Sequence, residues 1–92
     1  MKKQFKIITS TGFARPATIL VSSARKYTSK ICLEYQGRCI DLKKSPDQSL
    51  REIMLLGIKP GSNFIIWAKG IDEHKAIESI ESQLSNKNLL TH

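Results

Sequence analysis

Hydrophobic positions follow two spacings along this chain, and each predicts its own kind of element. Phe5-Lys6-Ile7-Ile8-Thr9 reads as a short first strand. Behind Pro16, which suits the first turn of a helix because its missing N–H has no intrahelical partner there, Ala17, Leu20, Val21 and Ala24 recur at i, i+3, i+4 and i+7. That spacing predicts a helix to about Tyr27. Ile31–Tyr35 and Arg38–Leu42 read as two strands joined by the two-residue turn Gln36-Gly37. This register pairs Glu34 with Cys39 and Cys32 with Asp41.

Lys43–Gln48 is polar and contains Pro46, so it reads as a loop. Ser49-Leu50-Arg51-Glu52 then fits a capping box that opens a short second helix, stopped by Gly57 with Ile58 as its hydrophobic contact. Lys59-Pro60-Gly61-Ser62 is a turn and Asn63–Lys69 the most apolar strand. Asp72 is placed to cap a last helix whose buried stripe is Ala76, Ile77, Ile80 and Leu84. Residues 85–92 read as a frayed tail. The order β-α-β-β-α-β-α predicts an α+β open-faced sandwich, a four-stranded antiparallel sheet with three helices on one face.

The 92 residues make one domain, 1–92, with 40% hydrophobic and 25% charged residues. No stretch reaches the roughly 18 apolar residues of a membrane span, and the N-terminus has no signal-peptide pattern. A cytoplasmic protein with no membrane partner is expected. The net charge is +7, and it is uneven: residues 1–31 carry seven basic residues and no acid. Such asymmetry describes either a solvated basic surface or a face that attracts acidic protein, phosphate or nucleic acid. Cys32 and Cys39 share a sheet face diagonally, ~7–8 Å apart, too far for a relaxed disulfide. Two cysteines without a histidine pair make a poor metal site, so no metal and no cofactor is expected.

Gly12-Phe13-Ala14-Arg15-Pro16-Ala17 lies between the first strand and the first helix. Helix N-termini present N–H groups and the positive dipole end to anions, and Arg15 adds a planar donor fork. Ala14, Arg15 and Pro16 are therefore the candidate anion site. The string Ala14-Arg15-Pro16-Ala17-Thr18 resembles the active-site motif of the HPr family, the histidine-containing phosphocarriers of the bacterial sugar phosphotransferase system. Lys26-Tyr27, Leu33–Gly37, Met54–Ile58 and Gly70–Glu73 extend the resemblance over about residues 5–84. In that family glycine, an apolar residue and the phosphorylated histidine precede Ala-Arg-Pro-Ala.

Here that histidine is missing. Either Phe13 stands in its place, or Gly12 aligns with the motif glycine and the loop is one residue short. The chain's two histidines are His74 and His92. A phenyl ring has no lone pair to accept a phosphoryl group. The resemblance implies a regulatory or adaptor paralogue that binds proteins of the phosphotransferase system or of catabolite control. It also implies a regulatory serine at the cap of the second helix. Ser49 matches it if Lys44–Asp47 count as roughly a four-residue insertion, with Ser45 as a second candidate. Leu50, Ile53, Met54 and Leu55 would form the docking patch beside it, together with Arg15.

On the last strand, alternation sends Ile65 and Trp67 to the open face, with Ile8 alongside from the first strand. This cluster is a candidate dimer contact, unless the tail with Leu89 and Leu90 folds over it. A nucleic-acid-binding sheet is the alternative, although only Trp67 is available for base stacking; a phosphorylation-independent dimeric module is another. No Ser/His/Asp, Cys/His, metal or paired-carboxylate constellation is visible, so an enzyme is not expected.

Overall fold

The turn at Gln36-Gly37 sets the register of the sheet. Both residues have positive φ, 49° and 80°, the conformation that lets a two-residue connection follow the twist of its strands. It joins β2 (Lys30–Tyr35) to β3 (Arg38–Asp41) with Tyr35 opposite Arg38, Glu34 opposite Cys39 and Cys32 opposite Asp41, the pairing expected from the sequence. The computed structural model describes residues 1–6, 13–59 and 61–86.

The remaining elements are β1 (Lys2–Lys6), α1 (Ala14–Ala24), α2 (Pro46–Leu55), β4 (Asn63–Lys69) and α3 (Glu73–Asn86). All strand pairings are antiparallel, in the order β1-β4-β2-β3. The three helices cover one face. Phe5, Ile31, Leu33, Ile40, Phe64, Ile66 and Ala68 point from the sheet into a core completed by Leu20, Val21, Ile53, Ile77, Ile80 and Leu84. The open-faced β-α-β-β-α-β-α sandwich is the architecture that alternation and helical spacing predict.

Boundaries differ from those expectations by one residue at the start of β2 and the end of β3, and by more at four others. β1 begins at Lys2, because a strand needs only alternate residues on the core side and Phe5 alone supplies that here; Ile7–Thr9 lie outside the described residues. α1 ends at Ala24, and Lys43 Nζ donates to the Ala24 carbonyl (3.0 Å) and to that of Tyr27, satisfying acceptors a helix end leaves open. α2 starts a turn before Ser49: Ser45 is the N-cap, its hydroxyl accepting from Gln48 N (3.4 Å), and Pro46 is the first helical residue. Ser85 and Asn86 belong to α3 and are not frayed, while 87–92, with Leu89 and Leu90, lie outside the described residues.

Asp72 does start α3, but through its backbone, whose carbonyl accepts from Ala76 N (2.9 Å). Its carboxylate reaches across the molecule instead. It accepts from Thr28 N and Ser29 N, both at 2.9 Å, and from the Ser29 hydroxyl. Gly70 lies beside this clamp, and a Cβ there would come within 2.6 Å of Ser29 Oγ and 2.8 Å of its Cα. The glycine lets the β4–α3 junction close on the α1–β2 junction.

Candidate functional site

α1 carries the first candidate site at its N-terminus. Phe13 occupies the N-cap position with φ −102° and makes no side-chain capping bond. Its ring is 3% exposed and packs edge-on against Phe64, centroids 5.3 Å apart at 88°, a favoured aromatic geometry. Phe5 also meets the Phe64 ring, centroids 5.7 Å apart and planes tilted by 30°. The Phe13 carbonyl accepts from Ala17 N (2.9 Å) and so closes the first turn.

Ala14 and Arg15 are exposed and Pro16 is buried, so the helix start shows the Arg15 guanidinium to solvent. Among the described residues no carboxylate lies within ion-pair range of it. A helix N-terminus with an uncommitted arginine can hold an anion. Among the described residues no histidine belongs to this helix start: His74 sits in the first turn of α3, and the Thr18 hydroxyl donates to the Ala14 carbonyl at 3.0 Å.

α2 rearranges the second candidate. Ser49 is fully buried, one turn into the helix; its N–H donates to the Ser45 carbonyl (3.0 Å) and its hydroxyl to the Asp41 carbonyl (3.2 Å). The capping-box reading of Ser49–Glu52 is therefore corrected: the cap is Ser45, exposed, with Asp47 in the first turn favouring the dipole. Glu52 faces outward to Lys44 Nζ at 3.4 Å.

The docking patch is also divided. Ile53 is fully buried in the core and cannot meet a partner. Leu50 is half-buried against the core. Met54 and Leu55 are exposed, Leu55 at 75%. Arg51 is exposed on the same helix.

The open sheet face holds Trp67, 38% exposed, and the half-buried Ile65; Ile8 lies outside the described residues. Register places Cys32 beside the tryptophan and brings cations to it as well. Lys2 lies opposite Trp67, and Lys30 lies opposite Lys69 one alternation further along. Cys32 and Cys39 are both free thiols on this face. Burial, followed by the neighbouring Cys39, pushes the Cys32 thiol up to about 11, which makes it a poor nucleophile near neutrality.

Sequence reasoning names Ser45 only as a second candidate serine and misses its role as the cap of α2, and it misses Lys43 and the Asp72 clamp altogether. A signal was present for the first: Ser-Pro-Asp places a cap residue, a first-turn proline and a first-turn acid in the order a helix start requires. Lys43 and Asp72 act across long stretches of chain, and no local pattern marks them. Among the described residues no three metal-ligating side chains come together, and no helix is long and apolar enough to cross a membrane.

The family model described as "PTS HPr component phosphorylation site" matches residues 1–86. Among solved structures, the chain is similar to the histidine-containing phosphocarrier protein of Mycoplasma, with 28% identity across all of both chains and a TM-score of 0.85. It is similar to HPr-C-His from Thermoanaerobacter tengcongensis at 30% identity, covering 95% of this chain and 93% of that one, with a TM-score of 0.79. An HPr dimer from the same organism matches at 31% identity, over 89% and 90% of the two chains, with a TM-score of 0.65. Proteins of this kind are phosphocarriers and not enzymes. With a motif, a fold and a family model in agreement over nearly its full length, the chain belongs to the HPr family of the phosphotransferase system.

Proposed function

We propose that this chain is a regulatory or adaptor member of its family, which binds partner proteins and does not carry a phosphoryl group on histidine. One observation carries the reading. The residue immediately before Ala14-Arg15-Pro16 is a phenylalanine whose ring is locked into the core against Phe64, and no histidine precedes residue 74. A phosphoryl acceptor must face its donor, and Phe13 faces inward. Its burial favours the alignment in which Phe13 is the motif's apolar residue and the loop is one residue short.

The anion-binding end of α1 remains, and Arg15 is its contact residue for phosphate or carboxylate on a partner. Met54 and Leu55, with the edge of Leu50, supply the apolar part of the docking surface on α2, which packs beside α1. The regulatory serine of this reading is Ser45. It is exposed and caps α2, where added phosphate would meet the helix dipole and first-turn N–H groups. Phosphate on Ser49 would require that side chain to leave the core. The partners are cytoplasmic proteins of the phosphotransferase system or of catabolite control.

The test is intact-mass spectrometry after two incubations. With phosphoenolpyruvate and the general histidine-phosphorylating enzyme, no acid-labile addition is expected. Inserting a histidine between Phe13 and Ala14 should create one, whereas Phe13→His should not. With ATP and the family's serine kinase, an acid-stable addition of about 80 Da is expected, lost in Ser45→Ala and kept in Ser49→Ala. An acid-labile phosphoryl group on the unaltered chain would overturn the adaptor reading.

A further inference from the structure

We infer that the open face of the sheet binds single-stranded nucleic acid, with a base stacked on Trp67 and phosphates held by Lys2, Lys30 and Lys69. The surface is separate from the helical face used above and does not depend on it.

The register builds the site. On β4, Ile65, Trp67 and Lys69 alternate onto the open face; β1 sets Lys2 directly opposite Trp67, and β2 sets Cys32 on its other side and Lys30 opposite Lys69. Lys30, Cys32, Cys39, Trp67 and Lys69 line a cleft of about 290 Å³. The indole N–H donates to Glu34 Oε1 at 3.5 Å, which restrains the ring while leaving it exposed.

Two features need a common explanation. Like charges directly opposite in an antiparallel pair are destabilising, yet Lys30 and Lys69 occupy such a pair beside Lys2. Among the described residues none of the three is paired with a carboxylate. Lys6 continues the row of cations along β1, four residues or ~13 Å beyond Lys2, further than one phosphate group spans. The acids of this face are Glu34 on β2, whose carboxylate takes the Trp67 N–H, and Asp41 on β3, opposite Cys32. The cations thus form a track from Lys6 and Lys2 on β1 to Lys69 on β4 and Lys30 at the start of β2, with an aromatic ring in it, which is the combination that holds a single strand by backbone charge and base stacking.

Other occupants use only part of this surface. A second copy would bring the lysines of one face against those of the other. An acidic peptide would satisfy the lysines and leave the exposed tryptophan without a planar partner.

Trp67 is the only tryptophan in the chain, so its fluorescence reads the site directly. Titrating a short oligo-dT or oligo-U strand into the full chain at low salt should quench it saturably. Log affinity should fall with log salt at a slope of about −2, from about 0.7 per neutralised phosphate on a single strand. Followed by anisotropy of a labelled strand, Trp67→Ala should weaken binding about 5- to 150-fold, and Trp67→Phe should retain most of it. Combining Lys30→Gln with Lys69→Gln should flatten the slope by about 1.4. No saturable quench, an unchanged affinity in Trp67→Ala, or equal affinity for a duplex or for poly-glutamate would overturn the inference.

Discussion

Asp72 shows how much one side chain can organise in a chain this short. Its carboxylate accepts from the Ser29 hydroxyl and from the Thr28 and Ser29 N–H groups, and these bonds hold it down to about 2. A native pKa below the unfolded value of about 3.9 means that the folded state binds fewer protons than the unfolded one between those limits. The stabilisation is complete above about pH 4 and is lost as pH falls through about 2. Asp72→Asn has no charge to lose, so its stability should change less with pH across that window. Glu73 shifts in the same direction, chiefly through its bond to the N-terminal ammonium, so a residual slope is expected in the variant. Urea midpoints measured between pH 2 and pH 5 for both proteins make the comparison. Parallel curves would mean that the clamp is not what the carboxylate contributes.

At the scale of elements, the start of α2 is where sequence and structure part. The helix begins at Pro46, and its first four residues are polar; a reading that waits for apolar periodicity places the start at Leu50. Of the four residues that look like a loop insertion, Lys44–Asp47, Ser45 is the cap and Pro46 and Asp47 are already helical. The two serines should therefore respond oppositely to charge. Ser45→Asp keeps a good N-cap and adds charge at the favourable helix end, so its stability should stay within about 0.5 kcal/mol of the parent. Ser49→Asp buries a carboxylate beside the Asp41 carbonyl and should cost roughly 3 kcal/mol or more. Denaturant titrations of the two variants would invert if α2 began at Ser49. By contrast, the β2–β3 register was legible because Gln36-Gly37 admits one short turn and the flanking pattern allows one phase. The aromatic stack of Phe5, Phe13 and Phe64 was not. It joins three distant segments, and local spacing does not say that Phe13 turns inward.

For the whole molecule the governing quantity is where the charge of +7 resides. The acid-free first 31 residues are distributed by the fold. Lys3 reaches Glu81 on α3 at 2.6 Å, Arg15 marks the start of α1, and Lys2, Lys6 and Lys30 go to the open face to meet Lys69. A linear asymmetry thus becomes a surface of one dominant sign. If that surface is kept for an anionic ligand, it is kept against stability, because Lys30 and Lys69 repel across neighbouring strands. Lys30→Glu replaces the repulsion with an opposite-charge pair, and each such cross-strand pairing contributes about 0.2–1 kcal/mol. The variant should therefore be more stable than the parent by roughly 0.5 kcal/mol at 10 mM salt, where the screening length is ~30 Å, and the gain should vanish near 1 M, where it is ~3 Å. The same variant should bind oligonucleotide more weakly. A gain that persists at high salt would assign the effect to packing, and a loss at low salt would mean that Lys30 makes a favourable contact on this face. A gain that disappears with screening, together with weaker oligonucleotide binding, would identify the open face as a surface whose charge is maintained for binding at the expense of folding.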